Sequence, residues 1–188
     1  TENIKKNAFD KIRILVLGGS QGAKVFADKL PSIFEKLKLS GISIQIYQQC
    51  QYRQNNQLYA FYKKANIDHE IFNFTNKIIE YYSKANLVIT RSGASALAEL
   101  INIKIPFISI PYPTSADNHQ HKNAFFYERK GFGYVLDEKN VNDKLYDLIR
   151  SMYKDKSLIE SILTSQSQYS DKNIFKNINT HIEKIINE

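Results

Sequence analysis

The hydrophobic positions switch repeatedly between two periods along the chain. Ile12 to Leu17 is an apolar run ending at Gly18-Gly19, and Val25, Phe26, Leu30, Ile33, Phe34 and Leu37 then recur at helical spacing through 23–39. A strand, a glycine turn and a helix are predicted. Ile42 to Tyr47 alternates as a second strand, 58–64 reads as a helical piece and His69 to Phe74 as a short third strand. Next come a helix over 78–85, a buried strand from Leu87 to Thr90, and a small-residue helix over 94–101 behind the Ser92-Gly93 turn. Phe107 to Ile110 is a strand between two prolines, 117–130 a helix closed by Gly131, and Tyr134 to Leu136 a last short strand. Helices over 141–153, 158–165 and 173–186 finish the pattern.

Strands alternating with helices at this pitch indicate parallel pairing, because parallel neighbours need a crossover of a dozen or more residues. The expected fold class is α/β, a Rossmann-like parallel sheet with helices on both faces. Residues 1–10 are polar and aperiodic and read as a tail or the end of a linker. Residues 11–188 read as a single domain whose C-terminal helices occupy about 141–188.

Composition narrows the class. In 188 residues, 43% hydrophobic and 24% charged content supports a core without disulfide or metal staples. Cys50 has no intramolecular partner and no N-terminal apolar segment precedes a small-residue cleavage site, so a reducing cytoplasmic setting is expected. The densest apolar stretch, Ile101 to Tyr112, is broken by Asn102, Lys104, Pro106 and Pro111, whereas a bilayer span takes roughly 20 mostly apolar residues. The first residue is Thr1 and the only Met is Met152, which suggests a processed chain or a piece of a longer protein. A net charge of +7 would suit phosphate, anionic lipid or nucleic acid. Lys supplies 21 of the 26 positive charges, spread without a basic run or stripe, so nucleic acid is not expected as a partner.

Three turns carry candidate chemistry. Gly18-Gly19-Ser20-Gln21-Gly22-Ala23 joins strand to helix, where unpaired backbone N–H groups and the helix dipole favour an anion such as a diphosphate. A bare tight turn with a Ser cap accounts for the same residues. A dinucleotide fingerprint is excluded, since Ser20 stands where its second glycine belongs and Tyr47-Gln48-Gln49 offers no ribose-binding acid. A Walker loop is excluded because Ala23 separates Gly22 from Lys24. The second turn, Arg91-Ser92-Gly93-Ala94-Ser95-Ala96-Leu97-Ala98-Glu99, lies at a strand's carboxyl end, with Ser92 placed to cap the helix and give a second anion seat. Glu99, seven residues after Ser92, would share its face and could accept ribose hydroxyls; a solvated or ion-paired glutamate is the simpler reading of the spacing. The third cluster, Asp117-Asn118-His119-Gln120-His121-Lys122-Asn123-Ala124, opens a helix. His119 and His121 point to different sides of it, no Cys or carboxylate pair completes a zinc set, and no Asp-x-Asp pair exists, so no cofactor and no divalent metal are expected.

In this order the clusters resemble the C-terminal, donor-binding domain of the MurG family of bacterial N-acetylglucosaminyltransferases. The residues that carry the likeness are Ile14 to Ala23, the 74–94 stretch ending in Arg91-Ser92-Gly93-Ala94, Glu99, His119-Gln120 and Asn123-Ala124. It covers about 11–150. The resemblance implies the C-terminal half of a GT-B fold that binds UDP-N-acetylglucosamine and takes part in inverting, metal-independent transfer to lipid I, giving lipid II for peptidoglycan. It further implies that Gly19 and Ser20 meet the diphosphate and that the backbone at Thr75 reads the uracil edge. The helix start from Ser92, Gly93, Ala94, Ser95 and Ala96 through Leu97 and Ala98 would hold the phosphates. Glu99 would take the ribose, and Arg91, His119 and Gln120 the sugar hydroxyls. Ser95 and Ala96 stand where family members often carry a bulkier residue and a Thr.

Family enzymes pair this domain with an N-terminal one that carries its own glycine-rich loop and a His for the lipid acceptor, and neither feature occurs in this sequence. The expected partners are therefore a UDP-sugar, an N-terminal acceptor domain or subunit that also supplies the base, and lipid I through it. The implied location is peripheral, on the inner face of the cell membrane. Two alternatives stay open: a separate donor-binding subunit of a split GT-B enzyme that needs a membrane-bound partner, and the donor domain of another GT-B transferase.

Overall fold

The computed structural model describes residues 10–19 and 24–169. Six strands, β1 (Ile12–Leu17), β2 (Ile44–Gln49), β3 (Asp68–Phe72), β4 (Leu87–Thr90), β5 (Phe107–Ser109) and β6 (Tyr134–Val135), form one parallel sheet in the order β3-β2-β1-β4-β5-β6. The helices between them are α1 (Lys24–Leu39), α2 (Asn55–Lys64), α3 (Ile78–Lys84), α4 (Ala94–Asn102) and α5 (His119–Arg129), followed by α6 (Val141–Lys154) and α7 (Lys156–Gln168). The expected α/β class and parallel sheet are found.

Both faces of the sheet are covered because successive side chains of a strand point to opposite sides. Along β1, Ile12, Ile14 and Val16 enter a core shared with α1, α2, α6 and α7. Leu15 and Leu17 enter a second core with Val88, Leu97, Leu100 and Phe107, closed by aromatic residues of α3 and α5.

Several boundaries differ from the pattern's prediction, each for a local reason. The second strand begins at Ile44 because the Ile42 N–H donates to Leu37 O, completing the turn that Gly41 allows at φ 85°. The third strand stops at Phe72. There Asn73 Nδ2 donates to Cys50 O at 2.8 Å and to Asn55 Oδ1, which peels Phe74 and Thr75 away from the sheet. α5 starts at His119 rather than 117, because Asp117 and Asn118 take left-handed conformations with φ 48° and 54°. α7 starts at Lys156, where Asp155 accepts from the Ser157 N–H at 3.0 Å. The helix expected over 173–186 lies outside the described residues. No helix among the described residues is long and apolar enough to cross a membrane.

Candidate functional site

The strand order reverses between β1 and β4, where the chain has gone outward to β2 and β3 and then returned to the other side of β1. Crossovers leave such a point on opposite faces and open a crevice beyond the carboxyl ends of the two strands. A cleft of 1120 Å³ lies there. Leu17 pairs with Thr90 at its floor, and the Arg91 N–H donates to Leu17 O at 3.3 Å. Gly18, Gly19, Lys24 and Val25 border one side and Gly93, Ser95, Ala96 and Glu99 the other. The two glycine turns thus open onto the same space. Gly19 has φ 83°, a conformation that disfavours any side chain with a Cβ. Ser20 to Ala23, which include the diphosphate contact expected at Ser20, lie outside the described residues.

The second turn is built differently from the sequence expectation. Gly93, with φ −66° and ψ 135°, is the residue that begins α4, and no side chain among the described residues caps it. Its first N–H groups therefore lack the partners that capping would supply. Ser92 precedes that position and is 0% exposed, with its Oγ buried and without a partner among the described residues. The expected Ser92 cap is therefore corrected, and so is its shared helical face with Glu99. Ala94 is exposed but outside the cleft lining, Ala98 is half-buried and outside it, and Leu97 is 0% exposed in the core.

Glu99 is exposed on the cleft wall, and its Oε2 accepts from the Tyr82 hydroxyl at 3.2 Å. Half-buried Tyr82 also lines the cleft; burial first, and then the Glu99 carboxylate, push its phenol up to about 12, so it stays a donor at neutral pH. Gln120 lines the opposite side, its Oε1 accepting from the N–H groups of Tyr112 at 2.9 Å and Ser92 at 3.3 Å. His119 stands apart, exposed, with Nδ1 2.7 Å from Ala116 O. Arg91 is held on three sides: Nη2 meets Glu138 Oε2 at 2.6 Å, and Nη1 meets Ile110 O at 3.2 Å and Pro111 O at 3.1 Å. Its side chain is 11% exposed.

Of the predicted residues, Gly19, Thr75, Arg91, Gly93, Ser95, Ala96, Glu99 and Gln120 are brought together. The sequence reading missed Gln49, Phe74, Tyr82, Tyr112, Lys29 and Glu138, which complete the wall. Phe74, 76% exposed beside Thr75, was read as the last residue of the third strand, and the strand's end at Phe72 is what frees it to border the cleft. Glu138 sent no signal, lying 47 residues from the arginine it pairs with. Among the described residues, no group of three or more His, Cys, Asp or Glu side chains is placed to hold a metal ion.

Residues 13–182 match the glycosyltransferase family 28 C-terminal domain. The chain belongs to that family. This family 28 domain is 37% identical over 186 residues to the UDP-N-acetylglucosamine--N-acetylmuramyl-(pentapeptide) pyrophosphoryl-undecaprenol N-acetylglucosamine transferase of Pelagibacter ubique, an alignment covering 96% of the chain and 51% of that protein. It is 37% identical over 162 residues to the transferase of the same name from Rickettsia typhi, covering 83% and 42%. The family 28 domain spans about half the length of these curated relatives. In fold it is similar to the crystal structure of Acinetobacter baumannii MurG, with a TM-score of 0.74 at 23% identity over 90% of this chain and 50% of that one.

Proposed function

We propose that residues 11–188 form the donor domain of an N-acetylglucosaminyltransferase and that the cleft between β1 and β4 receives UDP-N-acetylglucosamine. The observation that carries this reading is the convergence of the Gly19 and Gly93 turns, with Glu99, on one cleft. Open backbone N–H groups and helix dipoles favour a diphosphate without a divalent ion. Glu99 Oε1 has no partner among the described residues and accepts from a ribose hydroxyl, while Oε2 is steadied by Tyr82. Thr75 offers backbone groups, and Phe74 an aromatic face, at the end of the cleft where the uracil sits. The amide of Gln120, its oxygen engaged by two backbone N–H groups, turns its donors to the sugar.

The reaction that fits is transfer to the lipid-linked muramyl acceptor that the names of the relatives carry, lipid I giving lipid II, with inversion at the anomeric carbon. Negative charge grows on the departing UDP, and the fixed amides at both turns stabilise that charge. An N-terminal acceptor half, on the same polypeptide or as a separate subunit, supplies the lipid site and the base. The assembled enzyme works peripherally at the cytoplasmic face of the membrane.

Isothermal titration of the chain with UDP-N-acetylglucosamine and with an ADP-sugar, each with and without EDTA, tests the donor reading. Preference for the uridine nucleotide, insensitive to EDTA, is expected. Equal affinity for the two nucleotides would end the assignment, and loss of binding in EDTA would end its metal-free form.

A further inference from the structure

The Gly93 turn poses a mechanical problem. A side chain capping α4 would hold the turn rigid but would occupy the N–H groups that an incoming anion needs. Among the described residues no side chain caps Gly93 and nothing lies within 4 Å of the place where a Cβ would stand. Its C=O accepts the first α4 bond, from the Leu97 N–H at 3.1 Å, which leaves the aim of the turn's own N–H groups to be set by contacts to the residues before it.

The residue just before it supplies the first half of an answer. The Ser92 peptide is gripped at both ends by α5: its N–H donates to Gln120 Oε1 at 3.3 Å, and its C=O accepts from Asn123 Nδ2 at 3.2 Å. Gln120 and Asn123 are three apart on one helix and so share a face. Arg91 supplies the second half. Its guanidinium bonds Ile110 O, Pro111 O and Glu138 Oε2, and Cζ lies 4.8 Å from the centre of the Phe26 ring and 5.3 Å from that of Tyr112. A planar fork between two rings and three acceptors has little freedom left to reach a ligand. Gln120 joins the halves by also accepting from the Tyr112 N–H. Segments from α1, the β5–α5 connection, α5 and the β6–α6 connection thus converge on the two residues before Gly93.

We infer that Arg91, paired with Glu138, and Asn123 are positioning residues: they hold the Gly93 turn so that its open N–H groups face the diphosphate, and they do not contact the sugar. This rests on the donor-site reading above, and it gives Asn123 a role and Arg91 a different one from that implied by resemblance. Asn123 lies outside the cleft lining, so any effect it has on binding passes through the turn.

The test is titration of Arg91→Lys and Asn123→Ala with uridine, UDP and UDP-N-acetylglucosamine. Both variants are expected to lose about tenfold or more in UDP affinity, which is about 1.4 kcal/mol. The ratio of UDP-N-acetylglucosamine to UDP affinity should stay at its wild-type value, and uridine affinity should change less than about twofold. Glu138→Gln, which keeps an acceptor for Nη2, should lose less UDP affinity than Arg91→Lys. Arg91→Lys that lowers affinity for the sugar nucleotide alone would make Arg91 a sugar contact and overturn the inference. So would equal loss of uridine and UDP in both variants, which marks general unfolding, or wild-type UDP affinity in Asn123→Ala. A wild-type chain that binds none of the three ligands would overturn the donor-site reading itself and the brace with it, a result distinct from wild-type binding with unaffected variants.

Discussion

Ser92→Ala separates two accounts of the second turn. If the Ser92 hydroxyl capped α4, as its spacing before the helix suggests, alanine would cost about 1 kcal/mol. In the structure the hydroxyl caps nothing: its accessible area is below 1 Å² and it has no hydrogen-bond partner among the described residues. An unpaired buried hydroxyl carries a desolvation penalty of about 1–3 kcal/mol. Deleting one oxygen from a packed site gives back up to about 1 kcal/mol of that through lost contacts and the small void. The backbone bonds of Ser92 to Gln120 and Asn123 do not involve the side chain and survive the change. The balance is a stabilisation of about 1 kcal/mol, which for a domain of this size raises Tm by about 2–4 °C. Thermal and urea unfolding followed by circular dichroism would measure it, and titration with UDP should show unchanged affinity because the hydroxyl does not reach the cleft. A Tm lowered by about 2 °C or more would refute the reasoning and restore the cap.

Glu99→Gln should weaken binding of UDP-N-acetylglucosamine by about tenfold through loss of a charge-assisted bond. The loss should vanish with a 2′,3′-dideoxy analogue, and an equal loss there would remove the ribose from Glu99. Burial raises the phenols of Tyr82 and Tyr81 to about 12, and that of Tyr62 is raised as well. A group whose folded value is raised adds stability that is complete below its unfolded value near 10, so stability should fall as pH rises from about 10 through 12. Urea midpoints across that range should show the decline, with a shallower slope in Tyr82→Phe; a flat profile would contradict the burial of these rings. Gly133→Ala should destabilise the chain by about 1–3 kcal/mol in the same unfolding assay, since its Cβ would stand 2.6 Å from the Phe107 ring and 2.7 Å from its carbonyl oxygen. Wild-type stability there would mean that the β5–β6 edge yields freely.

What could be read from the sequence is what is written in contiguous residues. The run from Ile12 to Gly19 encodes a buried strand ending in glycines with its own composition, and so does the run from Leu87 to Gly93; each strand formed as predicted, and Gly19 and Gly93 both border the cleft. Spacing alone left Glu99 as a solvated or ion-paired glutamate, and only the family resemblance pointed it at the cleft that it borders. Ser92 was misread because capping turns on a single residue: the position that takes the extended backbone begins the helix, and here that is Gly93. The same sensitivity moved the start of α5, where Asp117 and Asn118 adopt left-handed conformations that their composition permits but does not demand.

The remaining misses share a cause. The surroundings of Arg91 depend on Ile110, Pro111, Tyr112 and Glu138, and no local period connects positions 19 to 47 residues away. Only the sheet order, which sets β4 between β1 and β5 and brings the β6–α6 turn alongside, makes them neighbours. A motif such as Arg91-Ser92-Gly93 therefore marks where a ligand is received without saying which of its side chains faces that ligand. In this domain the Arg91 guanidinium borders the cleft while bonded into the protein's own framework, and Gly93 leaves its backbone open to the same cleft. That division follows from the demands on an anion seat. Its donors have to stay unpaired before the ligand arrives, so the groups that keep them in place act from behind the turn, on the peptide just before it.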